Sequence, residues 1–483
     1  MSTDQVLLRR GRYADSVSLM QVSQTVGRAS GVEAALVAMA TELNLELLAG
    51  QGFADPGTDS ANDLVIAIRA VSAEALTAAT QLAEELLDAP RGSATTGSAA
   101  EPAPRTTGQA ARRYGPGLAV ISVPGPHAFT EAMDAVEAGC DVLLFSDNVG
   151  LEQEIALKDA AGRAGVLVMG PDCGTAVVGG IGLGFAHTVD PGPIGIVAAS
   201  GTGTQQVLCL LDHAGAGVRA ALGVGGRDLS EAVGGRSARQ ALRLLDADPA
   251  TTRIMLISKP PAAGVAAQLR ALPLTTPVSY ALLGPGQPDL TAATEQLLAE
   301  AGLDRPDWPA WPAPATEPRP GYLRGLFCGG TLCDEAMLIA AGQLEPVFSN
   351  IPLRPDRRLA DPLTLQGHCF VDFGDDELTR GRPHPMIDPS LRDQQLALAL
   401  ADPETAVVLL DVVLGHGAHP DPAAGLVPLI AGAGAPVVIS LIGARHDRQD
   451  FAATAQRLHE AGASVFLSNA QATRHALSLV AAR

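Results

Sequence analysis

The segment Ser200-Gly201-Thr202-Gly203-Thr204 sets two glycines and three hydroxyls in five residues, between an apolar run (Ile194 to Ala199) and a stretch that reads as helix (Gln205 to Ala214). Small residues let an anion approach backbone N–H groups that have no helical acceptor, and the helix dipole and the hydroxyls favour phosphate. The plainer alternative is a capped helix after a tight turn. The segment is no Walker loop, since GxxxxGK[ST] is absent. A second element of this kind, Cys328-Gly329-Gly330-Thr331-Leu332-Cys333-Asp334-Glu335, offers the amides of Gly329, Gly330 and Thr331 to an anion or a carbonyl oxygen. Its two cysteines, with four residues between them, suit neither tetrahedral zinc nor a redox CxxC, so no metal is expected.

Further candidates fall at the ends of other apolar runs. Asp172 and Cys173 lie in Gly170-Pro171-Asp172-Cys173-Gly174, where Asp172 is expected to project from a sheet edge and Cys173 could act as a nucleophile, although no histidine stands near it in sequence. Gly225, Gly226 and Arg227 follow Gly223-Val224 and could extend a phosphate site. Of the 33 basic residues only Lys158 and Lys259 are lysines, which hints that arginine does not serve at those positions. Lys259, in Ser258-Lys259-Pro260-Pro261, is placed where prolines fix the backbone and a cation could neutralise a phosphate or an oxyanion. The densest polar group is Asp372-Phe373-Gly374-Asp375-Asp376-Glu377, followed by Arg382-Pro383-His384-Pro385-Met386-Ile387-Asp388. Asp372, Asp375, Asp376, Asp388 and the proline-flanked His384 could bind a metal, hold a substrate ammonium or amide, or act as acid and base, or form nothing more than a solvated acidic loop. Asp411 would be costly to bury unpaired, and His416 and His419 read as loop residues.

The elements that position these residues follow from period and punctuation. Residues 1–89 alternate strands (Gln5 to Arg9, Ala34 to Met39, Asp63 to Ala70) with helices starting at Asp15, Thr41 and Ser72, a small N-terminal α/β domain. Residues 90–117 are rich in Gly, Ser, Thr, Ala and Pro and read as a linker, as do the Pro-rich residues 303–321. Residues 118–302 and 322–483 repeat one pattern, a short run of Val, Ile and Leu, a turn, then an Ala-rich amphipathic helix. That is the signature of tandem doubly wound parallel sheets of the Rossmann or flavodoxin type, which gather ligands at strand C-termini.

Composition excludes several classes. At 483 residues, with 47% hydrophobic and 18% charged residues, the chain is long and apolar enough for about three folded domains. A net charge of -19 and no basic run longer than Arg112-Arg113 argue against nucleic-acid binding. Apolar stretches far short of a bilayer span, with no apolar segment after the charges of the N-terminus, predict a cytoplasmic chain that does not enter membranes. Six scattered cysteines with no CxxC predict reduced, buried thiols.

Longer segments resemble a known family. SDNVGLEQEI (146–155), VMGPDCGT (168–175), ASGTGTQQ (199–206), GVGGRDLSEAVGG (223–235), SKPP (258–261), RGLFCGGTLCDE (324–335), DFGDDELTRGRPHPMIDP (372–389) and LDVVLGHG (410–417) are similar to the FdrA family, from about Gly11 to the C-terminus. The resemblance implies acyl-CoA synthetase-like domains related to the α subunit and the β carboxy-terminal domain of succinyl-CoA synthetase. It further implies a subunit of an oxamate carbamoyltransferase-type assembly in purine or allantoin breakdown, interconverting oxalurate and phosphate with oxamate and carbamoyl phosphate. In that reading the Ser200 to Thr204 amides hold the phosphate of carbamoyl phosphate, with Lys259 or Arg227 offsetting charge and Gly329 and Gly330 facing an oxyanion. Asp372, Asp375, Asp376 or His384 would serve the acceptor. The alternatives are an acyl-CoA synthetase of the acid–thiol ligase type and a non-catalytic CoA- or acyl-phosphate-binding subunit. Against succinyl-CoA synthetase, the chain joins the α-subunit pattern at Val123-Pro124-Gly125-Pro126, after its Gly-rich CoA loop, and Leu282 to Ala301 holds no histidine for phosphorylation. No ATP-grasp domain is visible. CoA is thus not expected as a firm ligand, and the partners implied are other subunits of a hetero-oligomer.

Overall fold

The computed structural model describes residues 2–14, 16–58, 60–88 and 103–481, so residues 90–102 of the expected linker lie outside the described residues. Two compact units result, one of residues 1–105 with 381–383 and one of residues 106–380 with 384–483.

In the first unit β1 (Thr3–Arg9), α1 (Ser16–Gly27), β2 (Val32–Met39), α2 (Glu42–Gly50), β3 (Leu64–Ala70) and α3 (Ala73–Asp88) succeed one another. The sheet is antiparallel in the order β1-β3-β2. Alternation along β3 sends Leu64, Ile66 and Ile68 to the α1/α3 side and Val65 and Ala67 to the Leu48 and Phe53 side, so both faces are apolar.

The second unit contains three sheets. It opens with α4 (Thr107–Tyr114), β4 (Leu118–Ile121), α5 (Gly125–Glu137), β5 (Asp141–Leu144), α6 (Leu151–Ala164) and β6 (Val168–Met169), with a parallel sheet β4-β5-β6. Helix α4 occupies part of the segment read from composition as linker: Thr106 caps it by accepting from Gln109 N, and Ala111 is buried against α5 and the sheet. Next come β7 (Thr175–Val178), β8 (Ile181–Gly184), β9 (Pro191–Ala199), α7 (Gly201–His213), β10 (Val218–Gly223), α8 (Arg236–Ala247), β11 (Arg253–Ser258), α9 (Ala263–Arg270), β12 (Val278–Leu282) and α10 (Leu290–Glu300). Their sheet runs β12-β11-β9-β10-β7-β8, parallel except for the β7–β8 hairpin. That hairpin turns on Gly179 and Gly180, both at positive φ, the geometry a two-residue hairpin turn demands.

The last third contributes β13 (Ala310–Trp311), β14 (Tyr322–Phe327), α11 (Gly330–Ala340), β15 (Val347–Ser349), β16 (His368–Asp372), α12 (Asp376–Thr379), α13 (Ser390–Ala401), β17 (Thr405–Val413), α14 (Ala423–Ala431), β18 (Val437–Ile442), α15 (Phe451–Glu460), β19 (Ser464–Phe466) and α16 (Asn469–Ser478). The order is β13-β19-β18-β17-β14-β16-β15, parallel apart from the edge strand β13. β13 lies within the expected Pro-rich linker, which is anchored because Trp308 is buried and its Nε1 donates to Glu295 Oε1 at 2.8 Å. Every residue of β17 is buried, as expected of a central strand covered on both faces.

One apolar core runs without interruption from the second sheet to the third, through α7, α10, α11 and α16. These helices therefore form a shared layer between the two sheets, and the N-termini of α7 and α11 meet within it. A separate polar lock ties the β4–β6 part to the second sheet. Lys158 Nζ, buried on α6, donates to Glu154 Oε1 (2.7 Å), Asp228 Oδ1 (2.8 Å) and Val224 O (2.9 Å). Asp228 also accepts from Ser237 N and Ala238 N at the start of α8.

Removing one partner of such a buried group leaves uncompensated charge, so Lys158→Met is expected to destabilise the second unit by about 3–5 kcal/mol. Denaturant unfolding against the wild type measures it, and a loss no larger than that of an exposed ion pair would contradict the lock.

Candidate functional site

Strands β9 and β14 both end at a tight turn into a helix, as doubly wound sheets require, and each turn carries one of the Gly-rich segments. Ser200 caps α7, its Oγ accepting from Gly203 N at 3.0 Å, and the same Oγ shares a 2.7 Å hydrogen bond with Thr331 Oγ1 in the first turn of α11. The two helix starts fit through missing side chains. A Cβ on Gly203 would meet Ser200 Oγ at 2.3 Å and Thr331 Cγ2 at 2.9 Å, and one on Gly329 would meet Thr202 Cγ2 at 2.4 Å. Apart from Gly203 N, which Ser200 Oγ takes, the N–H groups of the two first turns thus open side by side, with Gly201 exposed and Gly330 half-buried at the mouth.

Lys259 and Asp372 reach this mouth from neighbouring strand ends. Lys259 Nζ and Asp372 Oδ2 each lie 2.7 Å from the point where a Cβ of Gly330 would be. The ammonium forms no hydrogen bond or ion pair within 4.0 Å among the described residues, and the surrounding Asp334, Asp372 and Asp172 carboxylates outweigh desolvation to hold its pKa above the usual lysine value. Asp372 is 5% exposed. Burial pushes its carboxyl up to about 7 against the pull of Lys259 and of Gly374 N, which donates to Oδ1 at 2.9 Å. Burial likewise raises Asp334 to about 6, with Lys259 pulling it down. Asp172, at φ +57, is exposed to solvent. The surrounding protein, then Asp147 and Asp376, raise its pKa, although its contact with water favours the charged form. Asp376 is raised in the same way, by burial first and by Asp147 and Asp375 next.

Other residues singled out from the sequence take different places. Arg227 is held by Glu154 (Nε to Oε2, 3.0 Å) and by Val149 O (2.7 Å), so its guanidinium is committed to the Lys158 cluster. Gly225 packs on the backbone of Gly170 and Pro171, supporting the Asp172 turn, while Gly226 faces open space. The expectation that Cys173 could be a nucleophile is corrected: the thiol is buried beneath Thr175 O, and desolvation pushes it up to about 12. Asp375 caps α12 through Glu377 N, and Asp388 accepts from Ser390 N, so both carboxylates serve local turns. Thr204 Oγ1 bonds back to Ser200 O inside the first turn of α7. His384 rests on Phe185 with ring centroids 5.4 Å apart and accepts from Met386 N at Nδ1 (3.2 Å). Burial lowers its pKa to about 4, so at neutral pH its proton is on Nε2, which faces Gly374. Asp411, which was expected to need a partner, accepts from Cys328 N at 2.7 Å and receives Arg392 on its carbonyl oxygen.

The start of α5, where a Gly-Pro turn follows a strand, is not a second anion site. A Cβ on Gly125 would touch Asp147 O at 2.3 Å and Asn148 O at 2.7 Å, and carbonyl oxygens repel a phosphate. Among the described residues no group of three or more His, Cys, Asp and Glu is arranged to hold a metal ion, and no helix is long and apolar enough to cross a membrane.

Residues 326–479 match the CoA-ligase family, and residues 1–104 match the AllF heavy metal-associated domain. The metal implied by the second description does not fit these residues, since residues 1–104 contain neither cysteine nor histidine. YahF of Escherichia coli (strain K12), described as uncharacterized, is 40% identical over 456 residues, covering 88% of this chain and 87% of its own. The succinate–CoA ligase [ADP-forming] subunit alpha 2 of Archaeoglobus fulgidus is 28% identical over 155 residues, 31% of this chain and 53% of that subunit, so the match spans about half of that relative. The solved dinucleotide-forming acetyl-coenzyme A synthetase 1 of Ca. Korarchaeum cryptofilum, in complex with phosphate and ADP, aligns over 75% of this chain and 82% of its own at 16% identity and a TM-score of 0.26. An identity of 40% sustained along nearly the whole of both chains makes this protein a member of the family of YahF, the FdrA-like branch of the CoA-ligase proteins.

Proposed function

We propose that the second unit binds a phosphoryl group between the N-termini of α7 and α11 and transfers an acyl group between that phosphate and a second substrate. The observation that carries this reading is the junction itself, two helix starts joined by the Ser200–Thr331 hydrogen bond with the Lys259 ammonium at their mouth. Helix-start amides and aligned dipoles supply the donors an anion needs, and Lys259 adds a positive charge. An acyl phosphate seated there would present its carbonyl carbon toward the Lys259 and Asp372 side, where ammonium and amides stabilise the oxyanion of the addition step.

In the favoured reading the acceptor is a thiol such as that of CoA, and the chemistry is that of an acid–thiol ligase. The relatives named as CoA ligases support it. With no histidine in residues 282–301, the acyl group would pass between phosphate and thiol without a phosphohistidine on that segment. A second reading, carbamoyl transfer from carbamoyl phosphate to an amide nitrogen of the oxamate type, is favoured by one observation. Asp172 and Asp376, both with raised pKa, flank the mouth and suit removal of a proton from nitrogen. In either reading the activating or acceptor half would come from partner subunits.

Thermal unfolding tests the site. Phosphate, acetyl phosphate or carbamoyl phosphate at 100 times its Kd should stabilise the protein by roughly 2.7 kcal/mol. Lys259→Gln should weaken that binding roughly tenfold or more, a loss of about 1.4 kcal/mol. Gly201→Asp is the cleaner probe, because a Cβ there meets nothing within 4 Å and an acidic first turn favours the helix while repelling the ligand. Gly203→Asp would instead push α7 and α11 apart. Unaltered anion protection in both Lys259→Gln and Gly201→Asp would move the site elsewhere. Phosphate-dependent release of free thiol from an acyl-CoA decides for the first acceptor, and phosphate release from carbamoyl phosphate with oxamate, with and without partner proteins, for the second.

A further inference from the structure

A carboxylate aimed into an anion site needs an explanation. Asp372 Oδ2 has no hydrogen bond or ion pair among the described residues, yet the side chain is 5% exposed and the oxygen lies 2.7 Å from the Cβ point of Gly330, in the first turn of α11. It is not free to turn away. Asn350 brackets the Asp372 backbone, accepting from its N–H and donating to its carbonyl oxygen at 2.9 Å each, and Gly374 N fixes the other carboxylate oxygen. The titratable groups that face it are Lys259 from the end of β11, Asp375 from its own loop, Asp411 from β17, the buried thiols of Cys328 and Cys333, and His384, whose Nε2 approaches Gly374 beside Asp372 Oδ1, with Asp334 of α11 and Asp172 sharing Lys259.

An ionised carboxylate only accepts hydrogen bonds. In a partly buried site it repels an anion without a proton and welcomes one that brings a proton. We propose that the ligand of the paired helix starts is inorganic phosphate carrying a proton, whose P–O–H donates to Asp372 Oδ2 while its bare oxygens take the amides of α7 and α11 and the Lys259 ammonium. This rests on the acyl-transfer reading above, in which phosphate is already the acyl partner, and adds to it that Asp372 is the residue that selects that phosphate by its proton. When a phosphate oxygen bonds to the acyl carbon and the bond from that carbon to its leaving atom breaks, the phosphate proton passes to Asp372 and from there to the leaving atom. The reverse direction returns it to phosphate.

Sulfate is the discriminating probe, having the same shape and charge as hydrogen phosphate but no proton. Titration calorimetry of the full chain at about pH 8.5, where a carboxyl raised to about 7 is ionised, is expected to give phosphate at least tenfold tighter than sulfate, because a buried acceptor left without its donor is costly. At about pH 6 Asp372 is protonated and donates, so the preference should narrow. Asp372→Asn supplies a donor at every pH and should raise sulfate binding until the two anions are nearly equal. Equal binding of phosphate and sulfate by the wild type at about pH 8.5 overturns the proposal on its own, without recourse to any variant, and so does an Asp372→Asn protein that keeps the preference. Binding of neither anion to the wild type instead removes the phosphoryl site on which the proposal rests.

Discussion

Two helix N-termini side by side are an electrostatic problem before they are a binding site. Each carries roughly half a positive charge, and Lys259 adds another beside them. Like charges brought this close require something that holds them and something that offsets them. The holding comes from reciprocal packing, Thr331 into the space left by Gly203 and Thr202 into the space left by Gly329, closed by the Ser200–Thr331 hydrogen bond. The offset comes from Asp372, Asp334 and Asp172. Carboxylates with raised pKa are thus part of the architecture of the proposed anion site, and they keep its charge adjustable.

Behind the mouth, the shared helix layer is cross-linked by polar groups that would be liabilities elsewhere. Glu335 of α11 is fully buried and pushed up to about 7, first by desolvation and then by Asp289, and it accepts from Leu290 N (2.6 Å) and Asn469 Nδ2 (2.7 Å). Gln206 of α7 donates to Leu467 O (3.1 Å) and accepts from Asn469 N (2.9 Å). α7, α10, α11 and α16 therefore meet in one hydrogen-bonded node within an apolar core, which fixes the register of the two helices whose starts form the site. Rotation of either helix by one residue would break this node and the Gly203–Thr331 fit together.

Most of the fold was legible because strand, turn and helix alternate with clean punctuation, and the resemblance named the right kind of domain. The β7–β8 hairpin was not expected, although Gly179-Gly180 between two short apolar runs is a hairpin signal, because it is a short antiparallel insertion in an otherwise parallel β–α alternation. α4 and β13 escaped because composition cannot reveal that Ala111 or Trp308 finds a core to enter. At the site, the two Gly-rich segments and Lys259 were readable from their positions at strand ends. Their meeting was not, as Ser200 and Thr331 are 131 residues apart. Nor could sequence tell which polar residues were already spent: Arg227 on Glu154, Asp375 on its own helix, and Cys173 under Thr175 O. The carbamoyl-transfer reading came from resemblance, and the relatives now speak more plainly for CoA-ligase chemistry.

That separation in sequence has a mechanical meaning. Half of the cradle is anchored in the β9 sheet and half in the β14 sheet, so neither half exists as a site until the two sheets have closed on their common helix layer. A ligand held by both is a rivet through the seam between them. Its occupancy would stiffen the junction and register any slippage along it, making the small molecule a gauge of how tightly the two sheets are clasped.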